Sequence, residues 1–275
     1  MRLLCWNVQW CRGIDGTVDP ARIAREARLA DPDVLCFQEV SQGFNDLAGS
    51  QGEDQVEALK REFPGYAVFF AAAVDVPGAG GARKRFGNLL ASRLPVGRVL
   101  RHALPWPPAD QPSMPRIALE AVIHAPEGAL RVITTHLEYF SSGHRAAQIE
   151  RLRELHCLAN PETTSAGKES SPFQPQPRPE SAIVCGDFNM PPEDPLRGRF
   201  LEAFLGDAPR FVDAWQQLHP DEPHPHTFHV HEEGKPPYCC DYVFATEDLV
   251  PRLRSISVDR ANRASDHQPV TLELR

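Results

Sequence analysis

Ala182-Ile183-Val184-Cys185-Gly186-Asp187-Phe188-Asn189 is an apolar run that ends abruptly in a carboxylate and a carboxamide. A short apolar run of this kind reads as a buried strand. Its polar end puts Asp187 and Asn189 where the chain leaves the core. The same design recurs along the chain. Asn7 closes the run from Leu3, Glu39 ends Val34-Leu35-Cys36-Phe37-Gln38, and His136 follows Val132-Ile133-Thr134-Thr135. Asp241 opens a strand that runs to Ala245, and Asp266-His267 stand just before the last one, Pro269–Leu274. Ligands of sheet-rich proteins gather at strand ends, where side chains emerge from the core into a cleft. A single strand-end Asp or Asn is ordinarily a turn residue. A series of carboxylates, carboxamides and histidines at successive strand ends has no turn-forming explanation and points to one shared site.

The intervening sequence supplies more strands than helices. Asp19-Pro20 is an N-cap followed by proline at the first helical position, with Ile23, Ala24 and Ala27 at helical spacing and Asp31-Pro32 as the stop. Glu53–Phe63, Arg145–Leu158 and Leu196–Leu205 read as further helices. In Arg145–Leu158 the residues Ile149, Leu152, Leu155 and His156 share one face. Strands are expected at Tyr66–Ala72, Phe86–Leu94, Val96–Leu104, Ile117–Ile123, Leu130–Thr135 and Arg254–Val258. Many strands with few helices between them predict an α/β (α+β) fold in which two sheets pack face to face with helices outside. The stretch 160–179, rich in Pro, Ser, Thr, Gln and Glu, cannot bury much and is expected to be a flexible insertion in one domain spanning 1–275.

Composition narrows the function. The chain has 275 residues, 41% of them hydrophobic, and a net charge of −8. That balance argues against a surface built for tight non-specific binding of duplex nucleic acid. No signal-peptide pattern opens the sequence, and no apolar run reaches the ~18 residues of a membrane-spanning helix. Seven cysteines, an odd number, several inside apolar runs, read as small buried hydrophobes of a reducing cytoplasm. The pair Cys239-Cys240 lacks the gap of a C-x-x-C site.

Taken together, Cys5-Trp6-Asn7, Phe37-Gln38-Glu39-Val40, Thr135-His136-Leu137-Glu138, Gly186-Asp187-Phe188-Asn189, Cys240-Asp241-Tyr242-Val243-Phe244 and Ser265-Asp266-His267 resemble, in order and along the whole chain, the endonuclease/exonuclease/phosphatase superfamily. That group includes deoxyribonucleases, abasic-site endonucleases, neutral sphingomyelinases and inositol-polyphosphate phosphatases. Gly87-Asn88-Leu89-Leu90-Ala91-Ser92-Arg93 is similar to another family segment. The resemblance implies a four-layered α/β/β/α sandwich of two packed, mostly antiparallel mixed sheets. It implies metal positions at Asn7 and Glu39, with Asp266 near the metal centre. Asp187 takes the place of the residue that orients or deprotonates the attacking water, with Asn189 beside it. His267 matches the histidine on the scissile phosphate, Asp241 its carboxylate partner, and His136 a second phosphate-contacting histidine. Cys240 departs from the pattern, since many relatives carry a basic residue there.

The residue types suit this chemistry on their own terms. Mg²⁺ (or Mn²⁺) takes hard oxygen ligands and keeps open positions for a phosphate. In-line attack needs a positioned water, which a carboxylate and a carboxamide can hold. A histidinium beside a carboxylate can face a phosphoryl group. The expected activity is therefore hydrolysis of a phosphodiester or phosphomonoester. The expected partner is a phosphate-ester substrate (DNA, RNA or a nucleotide narrowly ahead of small phosphoesters and phospholipid headgroups), and the protein is expected to be monomeric. Asn88, Arg116, Glu138, Arg145 and Phe228 are the expected substrate contacts, Phe228 by stacking on a base or packing on an acyl chain. Arg83-Lys84-Arg85 is either a phosphate contact or a solvated loop. The histidines at 219, 224, 226, 229 and 231 have spacings unlike a zinc site and are expected in a substrate-facing loop. Two rival readings are an inactive binding protein on the same fold and a zinc hydrolase using those histidines.

Overall fold

The computed structural model describes residues 1–108, 110–159 and 176–275. The strands are β1 (Arg2–Asn7), β2 (Val34–Gln42), β3 (Ala67–Pro77), β4 (Arg83–Ser92), β5 (Val96–Ala103), β6 (Ile117–Ala125), β7 (Gly128–His136), β8 (Ala182–Asp187), β9 (Phe211–Asp213), β10 (Asp241–Thr246), β11 (Leu253–Val258) and β12 (Val270–Leu274). The helices are α1 (Pro20–Leu29), α2 (Gln55–Glu62), α3 (Ser142–Cys157), α4 (Pro195–Leu201) and α5 (Ala214–Leu218). The strands form two six-stranded sheets, ordered β11-β12-β1-β2-β4-β3 and β5-β6-β7-β8-β10-β9.

Each sheet is antiparallel except for one central parallel pair, β1 with β2 and β7 with β8. Parallel neighbours need a crossover, and α1 and α3 supply the two. Asp19 caps α1 by accepting from Arg22 N, and Ser141 caps α3 by accepting from His144 N. Ile23, Ala24 and Ala27 pack α1 onto the outer face of the first sheet with Trp6, Phe37 and Leu89. Ile149 and Leu152 pack α3 onto the second with Phe188, Phe200 and Phe244. Leu3, Cys5, Leu90, Leu119, Val132, Ile183 and Val243 fill the space between the sheets. The result is the expected α/β/β/α layering. No helix among the described residues is long and apolar enough to cross a membrane.

Several sequence-based expectations are corrected. The strand that opens at Val34 does not end at Glu39; β2 continues to Gln42 through a bulge between Phe37 and Val40. The helix expected to reach Leu205 stops at Leu201. β9 and α5 were too short to show a period. The expected insertion lies mostly outside the described residues, at 160–175; its last part is fastened, because the buried Arg178 donates to Glu120 at 2.8 and 2.9 Å. Six of the seven cysteines are buried and Cys157 is exposed.

Candidate active site

The C-terminal ends of both parallel pairs lie at the same end of the sandwich. Because β10 and β12 run antiparallel to their neighbours, their starts lie there too. Topology alone therefore gathers Asn7, Glu39, His136, Asp187, Asp241 and His267. Two local distortions aim the carboxylates. At the bulge in β2, Glu39 adopts φ +60°, which turns it out of the alternating pattern. Ahead of Asp187, Gly186 has φ +148°, and a Cβ there would lie 1.8 Å from the Thr135 carbonyl oxygen. Only glycine lets β8 approach β7 so closely.

Asn7 joins the sheets. Its Nδ2 donates to Glu39 Oε1 and to Asp187 Oδ2, both at 3.0 Å, while its Oδ1 accepts from Gln9 N at 3.0 Å. Asp187 Oδ1 accepts from Asn189 N at 2.9 Å. Asn189, at φ +50°, sends Nδ2 to His136 Nε2 and to the Leu137 carbonyl, both at 2.9 Å. Burial raises the pKa of Glu39, and it raises Asp187 to about 6. His136 is held well below its usual value by burial and by the charges of Arg116 and His267, so it is neutral and able to accept from Asn189.

His267 behaves in the opposite way. Burial alone would lower its pKa, but the charges of Asp241 and Asp187 overcome this and push it up to about 10. Its Nδ1 donates to Asp241 Oδ2 at 2.9 Å. The pair is built in from several directions. Trp6 Nε1 donates to the His267 carbonyl at 2.9 Å, and Thr227 Oγ1 accepts from the backbone N–H groups of Cys240 and Asp241. The thiol of Cys240 lies 3.4 Å from Asp241 Oδ2, so this position shares the carboxylate with His267 instead of only filling space.

Other expected site residues are placed less simply. Asp266 accepts from the Gln9 amide and lies outside both groups of converging ligand atoms, Glu39/His136/Asp187 and Asp187/Cys240/Asp241/His267. Burial raises its pKa to about 6. Phe228 lies at the cleft, but its ring is stacked at 4.3 Å on His267 and at 3.6 Å on His229. Two imidazoles cannot share one face of a phenyl ring, so both faces are covered, and only an edge is left for a ligand. Arg116 is buried at the cleft, 3.5 Å from Glu138 Oε2, with its Nε and Nη1 lacking hydrogen-bond partners. Glu138 is buried, and its Oε1 accepts from Phe140 N. Asn88 is buried, donates to the Ile117 carbonyl and lines a small internal pocket beside Arg116 and His136. Arg145 does not line the cleft; it donates to the carbonyls of Glu138 and Tyr139 and fixes that backbone. Arg83 and Arg85 share Asp75, and Lys84 pairs with Asp46, so each cation of the basic run already has a carboxylate partner on β3 or a neighbouring loop. The histidine-rich stretch forms no metal cluster among the described residues: His224 pairs with Asp213, His219 stacks on Trp215, and His229 on Phe228.

The sequence reading missed Gln9, which holds Asp266, and Trp10, Phe86 and Met114, which line the cleft. Trp10 sits in a left-handed turn after β1, at φ +42°, and only its closeness to Asn7 hinted at a role.

The model of the Endonuclease/Exonuclease/phosphatase family matches residues 4–267. The chain belongs to this family. No curated protein matches significantly. Among solved structures, a family protein from Beutenbergia cavernae is 24% identical with a TM-score of 0.72, covering 100% of this chain and 71% of that one. A 3′ phosphatase from Neisseria bound to a product DNA hairpin is 20% identical with a TM-score of 0.63, covering 100% and 99%. A mannosyl-6-phosphatase from Bacteroides thetaiotaomicron is 17% identical with a TM-score of 0.63, again covering 100% and 99%. At these identities the likeness establishes the fold. The family is one of phosphoesterases that generally use divalent metals, and the carboxylate and histidine cluster could hold such an ion.

Proposed function

We propose that the protein hydrolyses a phosphoester by in-line attack of water, with Mg²⁺ or Mn²⁺ held by Glu39 together with Asn7 and Asp266. The observation that carries this reading is the buried junction of Glu39 and Asp187 across one Asn7 amide, with both carboxylates lining a cleft that also holds His136, His267 and Arg116. The donor set fits a hard cation: Glu39 and Asp187 converge in one buried group and Asp266 lies within reach of the Glu39 charge, each raised by desolvation. When bound, the ion supplies Lewis acidity to the phosphoryl oxygen.

The chain's own groups have complementary tasks. Asp187, at about 6, is ionised at neutral pH yet basic enough to take a proton from water. Its two oxygens are fixed by Asn7 and Asn189, which sets the direction from which water is held. His267 remains an imidazolium up to about pH 10 and faces the developing charge on the phosphoryl group. Asp241 keeps that proton on the ring and fixes its plane. Arg116 lines the same cleft and directs its positive charge toward a phosphate oxygen held there. A nucleotide or a sugar phosphate is compatible with this set, and the DNA-bound 3′ phosphatase and the mannosyl-6-phosphatase among the structural neighbours support that range.

The test is hydrolysis of bis(4-nitrophenyl) phosphate and 4-nitrophenyl phosphate with Mg²⁺, with Mn²⁺ and with chelator. Turnover should require the ion and fall at least ~100-fold in Asp187→Asn, whose fold is checked by circular dichroism. Ion binding by calorimetry without any turnover would support an inactive binding protein instead. Turnover that survives both chelation and the substitution would remove the assignment.

A further inference from the structure

We infer that the substrate is a small phosphoester bearing a single phosphate and a flat apolar group, held by an aromatic rim at the cleft mouth. The inference rests on the phosphoesterase reading above and adds the class of molecule. The cleft measures about 530 Å³, a small-molecule size. Trp10, Phe86, Met114, Tyr139 and Phe140 line it together with the carboxylates and histidines. Tyr139 and Phe140 stand edge to face at 4.9 Å, and they are 48% and 59% exposed. Trp106, 50% exposed, donates to Ser113 Oγ, and Ser113 also lines the cleft. Thus two of the seven exposed large hydrophobic side chains among the described residues line this one cleft, and a third, Trp106, is bonded to a residue that does. Such a concentration beside a reactive centre marks a binding surface for an apolar group.

Charge sets the other half of the class. Arg116 is the only Lys or Arg lining the cleft among the described residues. The nearby basic groups are engaged: Lys235 with Glu232, Lys84 with Asp46, and Arg83 and Arg85 with Asp75. A polymer of phosphates is bound through several such cations at once. This cleft offers one, and its other cation, the His267 imidazolium, faces the reacting phosphate itself, so no lysine or arginine is left over for a second phosphate. The aromatic faces suit a ring, which stacks at little entropic cost.

The experiment uses the full chain with Mg²⁺ and esters whose leaving alcohols have matched acidity, so that chemical reactivity does not imitate binding. 2-Phenylethyl phosphate is compared with n-propyl phosphate, and the corresponding methyl diesters with each other. The phenylethyl member of the hydrolysed pair should have a kcat/KM about 20-fold higher, mainly through KM. The double substitution Tyr139→Ala/Phe140→Ala should reduce this preference to less than about threefold, and Tyr139→Phe/Phe140→Tyr should keep it. Hydrolysis of the nitrophenyl esters without a phenylethyl preference would overturn the inference and leave the phosphoesterase reading intact. Hydrolysis of no ester at all would overturn both. A higher kcat/KM on an oligonucleotide, or on choline-headgroup phospholipid vesicles, would also overturn the inference in favour of a polymer or a membrane. So would a phenylethyl preference that survives the double alanine substitution.

Discussion

Asp241→Asn isolates the charge that keeps His267 protonated. The two side chains are the same size, so the 2.9 Å contact to Nδ1 has room to persist while the negative charge is lost. In the native protein, burial opposes the imidazolium, yet the pKa rises from 6.5 to about 10, with Asp241 the strongest raising influence and Asp187 the next. That rise corresponds to about 5 kcal/mol favouring the charged form. Asp187 remains 3.7 Å from Nε2 in the variant, so its attraction offsets part of the burial cost. The pKa should settle at about 6 to 7. At pH 8 the imidazolium would then fall from nearly complete to roughly a tenth or less. Turnover at pH 8 should drop at least ~10-fold and recover in part near pH 6.5. The native pH profile should stay flat from above about 6, where Asp187 ionises, to about 10, where His267 loses its proton. The variant should decline through pH 7 to 8. The assay is kcat/KM across pH 5.5 to 9.5, paired with an NMR titration of the imidazole in metal-free protein. Superimposable profiles, or an unchanged His267 titration, would refute the electrostatic argument.

Three further outcomes follow from the same reasoning. Glu120→Gln should cost about 3 kcal/mol in urea unfolding at pH 7, because it strands Arg178 and Arg131 in the interior. Burial would raise the Glu120 pKa, but His102, Arg178 and Arg131 hold it at about 2. Its stabilising contribution is therefore complete above about 4.5 and is lost as pH falls from there toward 2; the variant should lack that acid decline, and equal acid sensitivity would reject the account. Saturating Mn²⁺ should raise the melting temperature by about 5 °C at pH 7.5. The gain should fade below about pH 6 as Asp187 and Asp266 take up protons; a pH-independent gain would place the ion elsewhere. Phe228→Leu should lower kcat by about tenfold with little change in KM, since it frees the plane of His267; an unchanged kcat would show that the stack is only packing.

The sequence revealed what depends on strand ends. The convergence of Asn7, His136, Asp187 and Asp241 was legible because each closes or opens an apolar run, and the sheets bring those ends to one side of the fold. Glu39 was found for an incomplete reason. Its strand does not stop there; a bulge and a left-handed backbone turn it into the cleft, and neither leaves a mark in hydrophobic alternation. Phe228 was read as a face for substrate because pattern cannot show that His229 and His267 already cover it. Arg145, expected at the substrate, holds the Glu138 and Tyr139 carbonyls, because a basic residue near a motif is as readily bound to backbone as open to a ligand. Gln9, Trp10 and Met114 had no periodic signal, since loop residues reach the cleft through three-dimensional routing.

The Asn7 amide holds one carboxylate from each sheet. The reaction centre therefore has no single scaffold; it exists only while two separately hydrogen-bonded layers remain seated on one another. A thinning of the interlayer packing far from the cleft, at Leu119 or Ile183 for example, would let the layers slide by fractions of an ångström. Catalysis would then fade while both sheets were still intact, which makes turnover a more sensitive gauge of layer alignment than any probe of secondary structure.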